Sequence, residues 1–194
     1  DLKYWVHRFA SEFRQTLPPQ QIVHVETQGS SLQTRMDPNQ LIQVLTNLVQ
    51  NGLRYSGQKH DQAQVWLKVF RDEASDLPVL EVLDDGAGVP TEQVQNIFEP
   101  FFSTKNKTQG TGLGLSTVYG IVKQTDGFIY AENLPTGGAM FSIYLPAHAA
   151  SAVVSDALPQ RADLTGDGSI LLVEDEVQRD KQDENPASIK MRTR

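Results

Sequence analysis

Four short segments of this chain carry residues whose types and spacing suit phosphate and base chemistry. In QVLTNLVQNGLRYS (43–56), Asn47 and Asn51 stand four apart, so a helix presents both amides on one face, with Arg54 and Tyr55 one turn further along it. Amide oxygens are neutral hard ligands. They suit a magnesium ion that keeps several waters and shares nucleotide phosphates, and an arginine beside them offsets phosphate charge. In LDDGAGVP (83–90), Asp84 closes an apolar strand run. Its carboxylate only accepts hydrogen bonds, so it can read the exocyclic amine of adenine. Gly86 and Gly88 then let the backbone approach a base closely. Gly110, Thr111, Gly112, Leu113, Gly114 and Leu115 form a glycine turn that opens an apolar helical run. Helix N-terminal amides beside such a turn make an anion site. Between these segments, IFEPFFSTK (97–105) supplies Phe98, Phe101 and Phe102, followed by Lys105 and Lys107. The aromatics suit a hinge, and the lysines can reach phosphates from a segment that closes over them.

Each segment by itself has an ordinary alternative: a solvated helix face, an acidic hairpin turn, core aromatics, solvated lysines. The glycine turn is neither a dinucleotide fingerprint, since no parallel βαβ unit surrounds it, nor a P-loop, since the Lys-Ser/Thr pair is missing. Their fixed order is what points to a pocket for an adenine nucleotide and magnesium.

The elements that must position these residues follow from periodicity. Leu2, Trp5, Val6, Phe9 and Phe13 recur at helical spacing until Pro18-Pro19. QIVHVE (21–26) alternates as a half-buried strand does. Asp37 before Pro38 is a cap with proline at the first helical position, and Leu41, Val44, Leu45, Leu48 and Val49 give the helix to about Tyr55 its apolar face. VWLKVF (65–70) and VLEVLD (79–84) read as a hairpin, and Thr91 is expected to cap a short helix. A last helix spans roughly 112–125. FIYAEN (128–133) and AMFSIYLP (139–146) form two strands around PTGG. From 147 to 169 the composition shifts to a linker; SILLVEDE (169–176) is an apolar strand run ending in acids, and the remaining tail is polar.

The composition narrows the classes. The 194-residue chain has no cysteine, which removes disulfides and thiolate chemistry, and a formal net charge of -7, which argues against nucleic-acid binding. No apolar run is long enough to cross a bilayer, so no direct membrane contact is expected of residues 1–194.

Taken together, the four segments resemble the N, G1, F and G2 boxes of bacterial sensor histidine kinases, and TGGAMFSIYLP resembles the closing G3 segment. The resemblance covers residues 1–146 and implies an α/β two-layer sandwich of the Bergerat type, a mixed sheet covered by helices on one face. It implies ATP and Mg2+ as cofactors. Asn51 matches the metal-holding residue, Asn47 and Arg54 match nucleotide-contacting neighbours, and Asp84 matches the adenine-reading residue. The implied activity is transfer of the γ-phosphoryl group to a histidine on a separate phosphoacceptor domain, with a response regulator or receiver domain downstream. A cytoplasmic location is implied, with the parent kinase attached to the inner membrane. Of His7, His24, His60 and His148 only His60 is followed by an acid, Asp61; the family's acceptor stands on a separate helical hairpin, so the acceptor is expected in trans. The related gyrase- and chaperone-class ATPases carry a water-activating Glu where this chain has Asn47, which favours kinase over hydrolase; a non-catalytic nucleotide-binding module is the other alternative. Residues 1–100 resemble pilus-regulating sensor kinases, and 103–177 resemble cell-cycle hybrid kinases. ILLVEDE resembles the first strand of a receiver domain, Glu174 and Asp175 matching its acidic pair, so 170–194 reads as a truncated receiver start. The hybrid resemblance also implies cyclic di-GMP binding through Tyr119, Lys123 and Phe128.

Overall fold

The computed structural model describes residues 1–94, 96–102 and 112–148. Helix α1 (Leu2–Arg14) opens on Asp1, whose side chain accepts from the Tyr4 amide at 3.1 Å. It buries Leu2, Val6, Phe9 and Ala10. Strand β1 (Gln21–Thr27) follows, then helix α2 (Pro38–Lys59), strands β2 (Ala63–Arg71) and β3 (Pro78–Asp84), a 3₁₀ turn (Thr91–Gln93), helix α3 (Gly114–Gln124) and strands β4 (Phe128–Asn133) and β5 (Ala139–Tyr144). The strands form one sheet in the order β1-β2-β3-β5-β4. β1 runs parallel to β2, and every other neighbouring pair is antiparallel. This is the mixed α/β sheet that the sequence leads one to expect.

Alternation along the strands decides what meets the helices. Val65, Leu67 and Val69 of β2 pair with Asp84, Val82 and Leu80 of β3. Leu80 and Val82 pair in turn with Ile143 and Phe141 of β5. All of these except Asp84 are apolar, and all are buried under the helices. Asp84 is therefore the polar last member of a core row, and its burial follows from strand period. At the other edge, the Arg14 guanidinium donates to the Val23 carbonyl through Nε at 2.9 Å and Nη2 at 2.6 Å, which occupies an acceptor of edge strand β1.

Helix α2 packs on β1, β2 and β3. Asp37 caps it, accepting from the amides of Asn39 at 2.7 Å and Gln40 at 3.2 Å. Leu41, Val44, Leu45, Leu48, Val49 and Leu53 face inward. Gly52 lies where the helix comes closest to the sheet. A methyl group built there would stand 2.7 Å from Val65 Cγ2 and 3.4 Å from Asp84 Cβ.

Two local expectations are corrected. Helix α2 does not stop near Tyr55 but continues to Lys59, because Ser56 and Lys59 find partners on the turn after β3. Thr91 caps nothing: the 3₁₀ turn begins after Pro90 without a side-chain cap, and the Gln93 amide donates to the Pro90 carbonyl at 2.8 Å. Backbone pairing also extends beyond Pro146, with Ala147 bridged to Thr34 and the His148 amide donating to the Gln33 carbonyl at 2.9 Å. The expected linker beyond 148 and the receiver-like stretch at 170–194 lie outside the described residues. No described helix is long and apolar enough to cross a membrane.

Gly52→Ala tests the close approach. Alanine gains about 1 kcal/mol of helix propensity, but overpacking against Val65 costs about 1–3 kcal/mol. The expected outcome is a net loss of stability in urea denaturation; a more stable variant would show that the helix can lift from the sheet at no cost.

Candidate nucleotide site

The site forms where α2, the end of β3 and the start of α3 converge. Asn47, Asn51, Arg54 and Tyr55 are half-buried on the flank of α2 beside its core stripe. Asn47 Oδ1 lies 3.5 Å from where a Cβ on Gly114 would stand, so this amide meets the first residue of α3. That helix starts at Leu113 without a side-chain cap and has no acid in its first turn. A helix N-terminus with neither a side-chain cap nor a first-turn acid is suited to an anion. Leu115 is half-buried and packs on the core, whereas Leu113 is exposed.

Asp84 is 6% exposed. Its Oδ1 accepts from the Gly86 amide at 2.9 Å and from the Ala139 amide at 3.4 Å. Both bonds fall on one oxygen. Among the described residues Oδ2 receives none, so it is the oxygen left for a ligand donor such as an exocyclic amine. Burial pushes the Asp84 carboxyl above the ordinary aspartate range; the two backbone bonds and the charge of Lys59 pull the other way, and neighbouring Asp85 adds to the rise.

Two turns enclose Asp84. In the first, a Cβ on Gly86 would lie 2.9 Å from both Asp84 Oδ1 and the Tyr55 carbonyl carbon, and Gly88 abuts Asn133. The Asn133 side chain clamps this turn, accepting from the Val89 amide at 2.7 Å and donating to the Val89 carbonyl at 2.6 Å. In the second, Gly138 adopts φ +100, and a Cβ there would fall 1.9 Å from the Asp84 carbonyl oxygen, a position only glycine can fill.

Of the three phenylalanines, Phe98 and Phe102 pack against the core while Phe101 is 76% exposed. The Phe101 amide donates to the Gly112 carbonyl at 3.1 Å. Lys105, Lys107, Gly110 and Thr111 lie outside the described residues. On α3 and β4, Tyr119 and Phe128 are half-exposed, Lys123 Nζ stands 5.6 Å and 4.7 Å from their ring centroids, and the Tyr119 ring lies 5.6 Å from that of Phe98.

Structure thus brings together Asn47, Asp84, Gly86, Gly88 and Gly114 with the α2 face, and gathers Tyr119, Lys123 and Phe128 into a patch that touches Phe98 through Tyr119. Sequence reasoning missed Ser56, Lys59, Asp85, Asn133 and Gly138 as parts of the site. The glycine pair in PTGG and the asparagine ending the strand before it are the available signals for the last two.

The family profile described as histidine kinase-, DNA gyrase B- and HSP90-like ATPase matches residues 36–149. The chain belongs to this family. Membership implies an ATP pocket. The relatives narrow the likeness to sensor kinases. The chain is 50% identical over 143 residues to the sensor protein kinase PilS of Pseudomonas aeruginosa, covering 74% of the chain and 27% of that protein. It is 46% identical over 116 residues to the sensor kinase CckA of Brucella abortus, covering 55% of the chain and 12% of that protein. The chain therefore spans about a quarter of the first relative and less of the second. A 143-residue match within 194 residues must run past residue 100, so the PilS likeness extends beyond the N-terminal part. Among solved structures, the nucleotide-free catalytic domain of histidine kinase ThkA superposes with a TM-score of 0.61 at 29% identity, covering 75% of this chain and 91% of that one.

The raised carboxyl of Asp84 gives a stability prediction. The folded chain holds this proton more tightly than the unfolded chain, so raising pH through the interval above the ordinary aspartate value costs folded stability. Asp84→Asn keeps an acceptor for Gly86 and Ala139 but removes the buried charge. The variant is expected to match or exceed the wild type in urea stability at pH 7, with the difference shrinking as pH falls through that interval. A wild-type advantage that grows with pH would contradict it.

Proposed function

We propose that residues 1–146 bind Mg-ATP and transfer its γ-phosphoryl group to a histidine carried on a separate phosphoacceptor domain, as the catalytic core of a two-component signalling kinase with a response regulator or receiver domain downstream. The observation that carries this reading is Asn47 at the mouth of α3. A hydrolase of this family needs a carboxylate there to take a proton from water; an amide cannot do so. The acceptor imidazole is itself the nucleophile, so a kinase needs no base at this position.

In this reading Asp84 Oδ2 accepts from the adenine amine, with Oδ1 already saturated by the backbone. The first-turn amides of α3 receive phosphate oxygens, and Arg54, Lys105 and Lys107 offset their charge. The donor set fits magnesium held jointly with the nucleotide: no cluster of three or more acids and histidines occurs among the described residues, and Asn51 offers one neutral oxygen. Bound there, the ion neutralises charge on the transferring phosphoryl group. Everything else is positioning.

Calorimetric titration with a Mg-ATP analogue tests binding. Asn51→Ala is expected to weaken it about 10-fold or more, and a wild type that folds but does not bind would overturn the reading. Label transfer from ATP to a supplied acceptor hairpin tests the chemistry. Asn47→Glu is expected to raise basal ATP hydrolysis about 10-fold or more by supplying the missing base; no increase would remove the argument against a hydrolase.

A second ligand reading is favoured by the patch on α3 and β4. Tyr119, 40% exposed, and Phe128, 48% exposed, flank the Lys123 ammonium, a pairing of stacking faces with a cation that suits cyclic di-GMP. Titration with cyclic di-GMP checks it: binding lost in Tyr119→Ala supports the patch, and no binding by the wild type removes it.

A further inference from the structure

We propose that Ser56 and Lys59, in the last turns of α2, are positioning residues that hold the Asp84 carboxylate in the orientation that leaves one oxygen facing the nucleotide, acting through Asp85. The inference rests on the reading of Asp84 as the base-contacting group.

The chain turns sharply after β3, and the turn is anchored from one side. The Ser56 hydroxyl is fully buried and donates to Asp85 Oδ1, while its oxygen accepts from the Gln64 amide at 2.8 Å. One hydroxyl thus ties α2, the start of β2 and the turn together. Lys59 Nζ donates to the carbonyls of Asp85 at 3.1 Å and Gly86 at 3.2 Å. His60 Nε2 lies 3.1 Å from the same Asp85 carbonyl and 3.6 Å from Asp85 Oδ2.

The consequence comes from peptide geometry. The Asp85 carbonyl and the Gly86 N–H belong to one trans peptide plane, so they point in opposite directions. Holding the carbonyl against the end of α2 aims the N–H back at Asp84 Oδ1, 2.9 Å away. That bond occupies Oδ1 and leaves Oδ2 for the ligand. Glycine at 86 offers no conformational resistance of its own, so this peptide can turn over unless something holds it. Lys59 also fills the gap to the second turn, since a Cβ on Gly137 would stand 2.9 Å from its Nζ. The latch therefore fixes the orientation of Asp84 without touching the nucleotide.

The test compares wild type with Ser56→Ala, Ser56→Thr and Lys59→Met. Two readouts are used: exchange of the Gly86 amide proton in nucleotide-free protein by NMR, and titration with Mg-ATP and Mg-GTP analogues. Ser56→Ala and Lys59→Met are expected to speed Gly86 exchange and weaken ATP-analogue binding about 3- to 10-fold each. The preference for adenine over guanine should fall with it, because a misoriented Asp84 loses base discrimination whereas general loosening weakens both ligands alike. Ser56→Thr, which keeps the hydroxyl, is expected to retain wild-type behaviour. Lys59 is exposed, so its variant reports even if Ser56→Ala does not fold. Unchanged Gly86 exchange and an unchanged adenine preference in Lys59→Met would overturn the latch. Faster Gly86 exchange in a protein whose wild type binds neither nucleotide would uphold the latch and overturn only the base-reading role of Asp84.

Discussion

The close contact between α2 and the sheet at Gly52 is the constraint on which the rest of the structure depends. The helix lies across β2 and β3 with Val65 and Asp84 beneath it, and the absence of a side chain at 52 sets its height. With the height fixed, the inward stripe from Leu41 to Leu53 fills the core. The adjacent stripe, from Asn47 to Tyr55, then falls at the edge of the sheet beside Asp84 instead of over solvent. A helix standing further out would leave the core underfilled and place the amides too far from the carboxylate to share a ligand. Packing and site geometry are thus one arrangement.

The carboxylate in that arrangement is expensive. Asp84 ends a row of valines and leucines, and its burial raises its affinity for a proton. Two backbone amides on one oxygen offset part of that cost and orient the group. The turns supplying them are themselves held, one by the Asn133 clamp and the end of α2, the other by a glycine backbone pressed on the Asp84 carbonyl. A polar group that destabilises the fold but is surrounded by fixed supports is the expected pattern where binding, and not stability, dictates the residue.

In the proposed function, choice of chemistry rests on a single side chain at the other end of the pocket. Asn47 meets the start of α3, and as an amide it contributes an oxygen without basicity. The family includes hydrolases and kinases on a shared scaffold, so fold alone does not choose between them. In the proposed function, the amide at this position does.

Much of this was legible in the sequence because it depends on local rules. Among the described residues, period-3.6 and period-2 patterns identified every α-helix and strand, while the short helix expected after Thr91 is only a 3₁₀ turn. Asp37-Pro38 marked the start of α2, and the order of Asn, Asp and glycine motifs indicated both pocket and family. What the sequence could not determine were relations between segments distant along the chain. Ser56 and Asp85 are 29 residues apart, and Val89 and Asn133 are 44 apart. Nothing in the local pattern of either partner announces the other, since hydrogen bonding is decided by where sheet register and helix height place the groups. The same reason explains why α2 runs past Tyr55: its last turn is stabilised by a turn that arrives from β3. Residue type and spacing determined which groups are available for chemistry; tertiary packing decided which atom of each group is saturated and which is left open.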